Sequence, residues 1–403
     1  MFHLDALPPL ALYVHIPWCA RKCPYCDFNS HALRGALPEA AYVDALLADL
    51  ETESPWARGR RVRSVFIGGG TPSLLTPEAI DRLLSGVRAR LAVSADAEIT
   101  LEANPGTVER MRFGELRAAG VNRLSIGVQS FDDRLLERIG RIHTGADARR
   151  AAEAAVAAGF EQFNLDLMYG LPGQDPAQAL ADTEAACALE APHVSHYQLT
   201  LEPHTALHRA PPRLPDEEAA WAMQLRCQRR LAEAGRRQYE VSAYAREGAR
   251  CEHNLNYWTF GDYLGVGAGA HGKLTDAAGG RILRRRRIAH PARYLQAARD
   301  RGFVAEQREL GPEDAVVEFM MNALRLTEGF EIDLFHRRTG LGPERLEPAL
   351  GRAAALGLIE RSAGRLVPTT DGRRLLDDLV ALFLPQPSAN ARLAAPTAGN
   401  PSA

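Results

Sequence analysis

Three cysteines, Cys19, Cys23 and Cys26, fall within eight residues in the segment HIPWCARKCPYCDFNSH. Two of them form Cys-Pro-Tyr-Cys, a spacing that serves thiol–disulfide exchange, a zinc clip or iron–sulfur ligation. A glutaredoxin-like dithiol needs only Cys23 and Cys26, leaves Cys19 idle, and fits in a far shorter chain. A structural zinc site needs a fourth ligand, which His15 or His31 would have to supply from one cramped loop. A cubane iron–sulfur cluster uses all three thiolates. Spacings of four and three let one loop wrap three corners and leave the fourth iron open to a small molecule.

Such a loop must be carried by a frame, and the first 240 residues supply one. Short apolar runs (ALYVHIP, VRSVFIGGG, EITLEAN, RLSIGVQS, FNLDLMYG and VSHYQLTL) alternate with Ala- and Leu-rich windows of helical period. In the window 76–91, Ile80, Leu83, Leu84, Val87 and Leu91 share one face. Thr76 followed by Pro77 marks the helix start, the hydroxyl capping and the proline giving up a hydrogen that would be orphaned anyway. Six strand–helix units in succession predict a parallel sheet, closed or partly closed as a barrel. The cysteine loop follows the first strand. Gly68–Thr71, Glu102–Asn104 and Gln129 end later strands, and Asp166 lies within another. A parallel barrel gathers such ends on one rim, where active sites are built, and a buried acid such as Asp166 favours a polar ligand nearby.

Beyond residue 245 the pattern changes. CEHNLNYWTFGDYLGVGAGAHG (251–272), rich in glycine and aromatics, reads as ordered loop with short strands. RILRRRRIAH reads as a solvated basic strand or loop. Residues 312–384 combine helices, the apparent hairpin GLIERSAGRLVPT and a last helix, a pattern similar to a winged helix. The expected division is 1–240 for the barrel, 241–310 for a connecting segment, 311–385 for the winged-helix-like unit and 386–403 for a disordered tail.

Composition narrows the setting. The chain has 403 residues, 46% hydrophobic and 24% charged, with a net charge of −2, ordinary values for a globular protein. Lys22 and Lys273 are the only lysines, which reads as the coding bias of a GC-rich genome. The first residues carry Asp5, two prolines and no base before Arg21, unlike a signal peptide. No apolar run approaches the ~20 residues of a spanning helix. A cytoplasmic location is expected, where thiols stay reduced. Cys187, Cys227 and Cys251 are scattered and suggest no disulfide framework.

A three-cysteine loop directly after the first strand of a parallel barrel resembles the radical S-adenosylmethionine (SAM) superfamily. The fold class expected is therefore α/β, a partial parallel (β/α)6-type radical SAM barrel with a C-terminal winged-helix-like α+β domain. The segments YVHIPWCARKCPYCDF, GGGTP, EANP, SIGVQSF and NLDLMYGLPGQ together resemble the oxygen-independent coproporphyrinogen III oxidase group, over residues 11–384. That resemblance implies a 4Fe-4S cluster on Cys19, Cys23 and Cys26. It places Tyr13, Gly69 and Glu102 at a first SAM. Tyr25, Gly70, Thr71, Gln129, Arg141 and Asp166 match positions that touch a second one in the oxidase.

One departure redirects the reading. The oxidases carry a further cysteine two residues past the third cluster ligand, where this chain has Phe28. Relatives lacking it are similar to haem chaperones of the HemW type, which bind haem and pass it to apo-haemoproteins. HNLNYW (253–258) is similar to a motif of that branch, and implies haem contact by His253, Tyr257 and Trp258, with Cys251 and His271 as further candidate ligands. The resemblance also implies transient contact with membrane-bound respiratory haemoproteins. Oxidative decarboxylation of coproporphyrinogen is the alternative, against which Phe28 and HNLNYW both count. A DNA-binding role is weak, since PERLEPALGRAAALG offsets two arginines with two glutamates, and nucleic acid is not an expected partner.

Overall fold

The computed structural model describes residues 2–106 and 112–385 of the chain. Six parallel strands open the fold: β1 (Leu10–Ile16), β2 (Val62–Gly69), β3 (Val93–Ala103), β4 (Arg123–Gln129), β5 (Gln162–Tyr169) and β6 (His193–Gln198). They lie side by side in chain order, as right-handed strand–helix–strand units require. Their side chains alternate between two faces. Leu12, Val14, Ile67, Leu101, Ile126 and Leu165 enter one large apolar core under the helices. Tyr13, Thr100, Glu102, Ser125, Asp166 and Tyr197 turn the other way and line the lumen.

Helix α1 (Glu39–Glu53) and helix α2 (Pro77–Arg90) cover the first strands. Ile80, Leu83, Leu84 and Val87 are buried as their period predicts, and the Ala79 N–H donates to Thr76 Oγ1 at 3.2 Å. Thr76 in turn donates its hydroxyl to Glu39 Oε1 at 2.9 Å, tying the starts of α1 and α2 together. Thr76→Ala is expected to lower stability by about 1 kcal/mol. Urea unfolding reads this as a lower midpoint at unchanged slope, and an unmoved midpoint would remove the cap from the account.

The sheet does not stop at six strands. Strands β7 (Arg237–Glu240), β8 (Ala243–Ala245), β9 (Asp262–Val266), β10 (His271–Asp276), β11 (Arg281–Arg287) and β12 (Val304–Glu309) extend it to twelve, in the order β12-β11-β10-β9-β1-β2-β3-β4-β5-β6-β8-β7. The order is linear, so the barrel is open. Strand β9 runs parallel to β1 on the side away from β2, with Tyr13 opposite Gly265. Gly265 is required here, because a Cβ would strike the His271 carbonyl on β10.

Two expectations need correction. Residues 251–272 are not mainly loop: they form a helix (Glu252–Trp258), β9 and the start of β10. The basic run is only partly solvated, Arg281 and Arg286 being exposed and Arg287 buried. It is strand β11, and its arginines are matched by carboxylates. Arg287, fully buried, donates to Asp49 at 2.8 Å and pairs with Glu53 on α1 at 2.8 Å. Arg285 also meets Glu53, while Arg284 pairs with Glu318 at 2.5 Å and Arg286 with Glu306 at 3.0 Å. Burial pushes Asp49 up to about 6, against the pull of Arg287 and the Tyr294 hydroxyl.

The two lysines serve different places, one buried and one exposed. Lys273 is buried, donating to Asp262 Oδ1 at 2.9 Å and the Phe260 carbonyl at 3.1 Å with its ammonium over the Phe260 ring. A compact ammonium fits where a guanidinium fork would not. Lys22 spans the cysteine loop, reaching the Phe28 and Ser30 carbonyls at 3.1 and 3.0 Å.

The C-terminal helices pack with a three-stranded sheet of Phe330–Glu331, Arg365–Pro368 and Ile359–Ser362. Their core (Phe319, Phe330, Phe335, Leu350, Leu366) also takes in Phe2, Phe260 and Ile282, so this unit shares apolar packing with the preceding segment. Among the described residues no helix is long and apolar enough to cross a membrane. The tail from residue 386, expected to lack order, lies outside the described residues.

Candidate functional site

The C-terminal ends of β2 to β6 frame a cavity of about 360 Å³. The segment after β1 turns over it, and Cys19, Cys23 and Cys26 all line it as free, half-buried thiols. The loop is fixed by its own backbone. His31 N–H donates to the Pro17 carbonyl at 2.7 Å, Leu33 N–H to Cys19 at 2.8 Å and Cys26 N–H to Cys23 at 3.2 Å. The glycine end of β2 clamps its entrance, with Gly70 N–H on Ile16 and Thr71 N–H on Trp18, both at 2.7 Å. A Cβ on Gly70 would lie 2.5 Å from the Trp18 carbonyl, so glycine is what allows this approach. Gly69, at φ +114°, leaves its side-chain space to the His15 ring and donates its N–H to Glu102 Oε2 at 2.9 Å. The triplet thus seats the cysteine loop as well as facing the cavity.

Of the residues expected at the cofactor, Tyr25, Gly69, Gly70, Thr71, Glu102, Gln129, Arg141 and Asp166 line this cavity. Tyr13 does not. It lines the adjoining lumen, its hydroxyl hydrogen-bonded to His15 Nδ1 at 2.9 Å. Gln129 follows a bulge in β4 and takes φ +70°, a strained conformation for a non-glycine residue costing about 1–3 kcal/mol. The Tyr197 hydroxyl donates to its Oε1 at 2.9 Å. Asp166 accepts from Ser125 Oγ at 3.1 Å and Asn164 Nδ2 at 2.7 Å. Arg141 donates to Asn104 Oδ1 at 2.7 Å, to the Gly127 carbonyl at 2.6 Å and to Cys23 Sγ at 3.5 Å. Asn104 also donates to Thr71 Oγ1 at 2.8 Å. Tyr197, Ser125 and Asn164 were not singled out from the sequence. Their signal was alternation along β4, β5 and β6, which turns each to the lumen.

The electrostatics separate two kinds of group. Burial pushes Glu102 up to about 8, against the Gly69 N–H and with help from Asp166. Asp166 is raised by burial too, its three hydrogen-bonding neighbours pulling the other way. Burial also raises Cys19, with Cys26 and Cys23 adding to it. Arg141 stays firmly cationic: burial opposes its charge, but Tyr25 and Cys23 outweigh it. Its buried Nε has no partner among the described residues, which points to a further anionic or acceptor group in the cavity.

This donor set fits an iron–sulfur cluster better than a single ion. Among the described residues no three His, Cys, Asp or Glu side chains converge on one metal position, whereas a cubane takes its thiolates at separate corners. The two candidate fourth ligands for zinc are engaged elsewhere. His15 Nε2 is bonded to the Asn29 carbonyl at 2.9 Å and His31 Nε2 to Asn29 Oδ1 at 3.2 Å.

The expected haem residues sit on the helix Glu252–Trp258. His253 is buried, with Nδ1 bonded to Ser64 Oγ at 3.0 Å and Nε2 to the Tyr257 hydroxyl at 2.8 Å. Burial pushes it down to about 3, so the ring is neutral and both nitrogens are occupied. Trp258 has Arg325 over its ring at 4.2 Å and a buried Nε1 without a partner among the described residues. Cys251 is buried against Glu98. Phe28, by contrast, is 58% exposed at the mouth of the cavity.

Comparison with known proteins bears on this arrangement. Residues 13–184 match the Radical SAM superfamily and residues 310–375 the HemN C-terminal domain. The chain is 50% identical over 378 residues to the heme chaperone HemW of Escherichia coli, covering 94% of this chain and 99% of that one. With the heme chaperone HemW of Haemophilus influenzae it shares 44% over 385 residues, at 94% and 99% coverage. Among solved structures, coproporphyrinogen III oxidase (HemN) from E. coli, a radical SAM enzyme, superposes with a TM-score of 0.79 over 94% of this chain and 90% of that one. At 24% identity this shows a shared fold. Radical SAM membership implies a 4Fe-4S cluster and SAM. With half of its residues identical to a curated relative along almost the whole of both chains, this protein belongs to the HemW family of radical SAM proteins.

Proposed function

We propose that the protein is a haem chaperone, which binds haem and transfers it to apo-haemoproteins while carrying a 4Fe-4S cluster and SAM. Identity of 50% with a heme chaperone across 94% of this chain carries the reading. Phe28 supports it, a side chain with neither charge nor redox chemistry, exposed where the oxidases keep a cysteine. Membrane-bound respiratory haemoproteins are among the acceptors proposed, reached by transient contact from the cytoplasm.

Cys19, Cys23 and Cys26 would hold the cluster. When bound, it would supply a redox-active iron beside which SAM would be held. This chain's own residues bind and orient around that centre. Glu102 offers a carboxyl to a cationic group, and Arg141 offers its unpaired Nε–H to an acceptor. Gln129 and Asp166 present polar side chains from neighbouring strands, Gly69 holds the Glu102 carboxyl with its N–H, and Tyr13 stands in the adjoining lumen.

Haem titration of the anaerobically reconstituted protein, paired with a coproporphyrinogen assay, tests the reading. One equivalent of haem bound and no decarboxylated product are expected. Product formation at an enzyme-like rate would replace the chaperone with the oxidase.

A further inference from the structure

A second cavity, of about 470 Å³, opens beside the cluster loop. Phe28 stands at the border, lining both cavities together with Asp27, Gly69 and Glu102. Tyr257 and Tyr263 form part of its wall, and His271 and Arg286 stand on the strands beside it. We propose that this cavity is the haem seat, with His271 as the axial ligand to iron, Phe28 as the apolar platform and Arg286 as a propionate partner. The assignment rests on the haem-chaperone reading and says where on this chain the macrocycle sits.

Two histidines line this cavity, His15 and His271, and His271 is the one whose ring is open to an iron. His253 and His15 each have both ring nitrogens hydrogen-bonded. His271 opens β10, is exposed, and no hydrogen bond to its ring occurs among the described residues. The charged groups facing it are Arg286, Arg284 and Glu306. Arg286 lies directly opposite on β11, so the two side chains leave the same face of the sheet. Its ion pair with Glu306 is exposed on both sides, and an incoming carboxylate can compete for it.

The platform and the ligand are held in register by the residue next to Phe28. Asn29 Nδ2 donates to the Ala268 and Ala289 carbonyls, both at 2.8 Å. These bonds tie the cysteine loop to the turn at 267–270 that delivers His271 and to the segment that follows β11. A flat, largely apolar ring with anionic edges needs an aromatic face on one side, a nitrogen donor and a cationic rim, and this cavity brings the three together. The residues of HNLNYW then contribute a wall through Tyr257, while His253 and Trp258 support it from within.

The test is haemin titration of full-length, anaerobically reconstituted protein, followed by Soret absorbance and quenching of tryptophan fluorescence. Iron per chain and far-ultraviolet circular dichroism are checked for every variant. His271→Ala is expected to weaken binding by about tenfold or more and to move the Soret band, with added imidazole restoring the band position. Phe28→Ala is expected to weaken binding while leaving the band in place, and His253→Ala, where it folds, to leave the band in place. Wild-type affinity and an unmoved Soret band in His271→Ala would overturn the ligand assignment alone. Wild-type affinity in Phe28→Ala would overturn the platform. Failure of the wild-type protein to bind haem would overturn the chaperone reading and this assignment together.

Discussion

Replacing Cys19, Cys23 and Cys26 together with alanine is expected to abolish the brown absorbance of the reconstituted protein and bring bound iron and sulfide to background. The three thiols line one cavity and come from one loop, and among the described residues no other thiol lines that cavity. The remaining cysteines are buried in the frame: Cys187 within the helix Pro176–Ala188, Cys227 against Tyr169 and Met223, and Cys251 against Glu98. The variant should nonetheless fold. The loop is stitched by backbone hydrogen bonds and by Lys22 across its width, and none of these contacts uses a cysteine side chain. Circular dichroism and the urea midpoint should therefore stay near wild type while the metal is lost. Survival of the absorbance and iron in the triple variant would show the cluster assignment to be wrong. Cys227→Ala serves as the control, with iron content expected to remain at the wild-type level.

That loop was legible in the sequence because its chemistry and spacing are local. So were β1 to β6 and the Thr76 cap, where a period or a residue pair carries the signal within one window. What was not legible depends on partners far along the chain. The run RILRRRR reads as solvated until Asp49 and Glu53 on α1 and Glu318 from the C-terminal unit are brought to it. Nothing within the window 281–287 announces those carboxylates. Likewise β9 joins β1 across some 250 residues, and its short alternating stretch resembles many loops. The glycine triplet was recognised as a site element, but its second task was hidden, since only the fold shows that the Trp18 carbonyl fills the space of a Gly70 side chain. His253 was selected by motif. Its burial on Ser64 follows from where the helix Glu252–Trp258 packs, which the six letters do not specify.

The affinity of the reconstituted protein for SAM is expected to rise with pH through the neutral range, and Glu102→Gln is expected to flatten that rise. Glu102 reaches its rim position because β3 turns alternate side chains inward, with Leu101 and Ala103 taken by the core. There, burial holds its carboxyl up at about 8, the Gly69 N–H only partly offsetting the cost and Asp166 adding to it. Below that value the group carries a proton and offers a cation no charge. Above it the group is a carboxylate. A sulfonium-bearing ligand pairs better with the ionised form, so binding releases the proton and affinity climbs as pH rises towards 8. The slope has an upper limit of about tenfold per pH unit for one proton. The amino group of the ligand titrates in the same range, so the diagnostic quantity is the difference between the two proteins. In Glu102→Gln the amide oxygen can still accept from Gly69, which preserves the end of β2, but the side chain cannot ionise. Loss of one charge-assisted contact is worth about 1.5–3 kcal/mol, a weakening of about 10- to 100-fold at alkaline pH that shrinks as the medium becomes acidic. Equilibrium dialysis of labelled SAM across the range decides the matter. Parallel profiles for wild type and Glu102→Gln would place the titrating group elsewhere and remove Glu102 from the cation site.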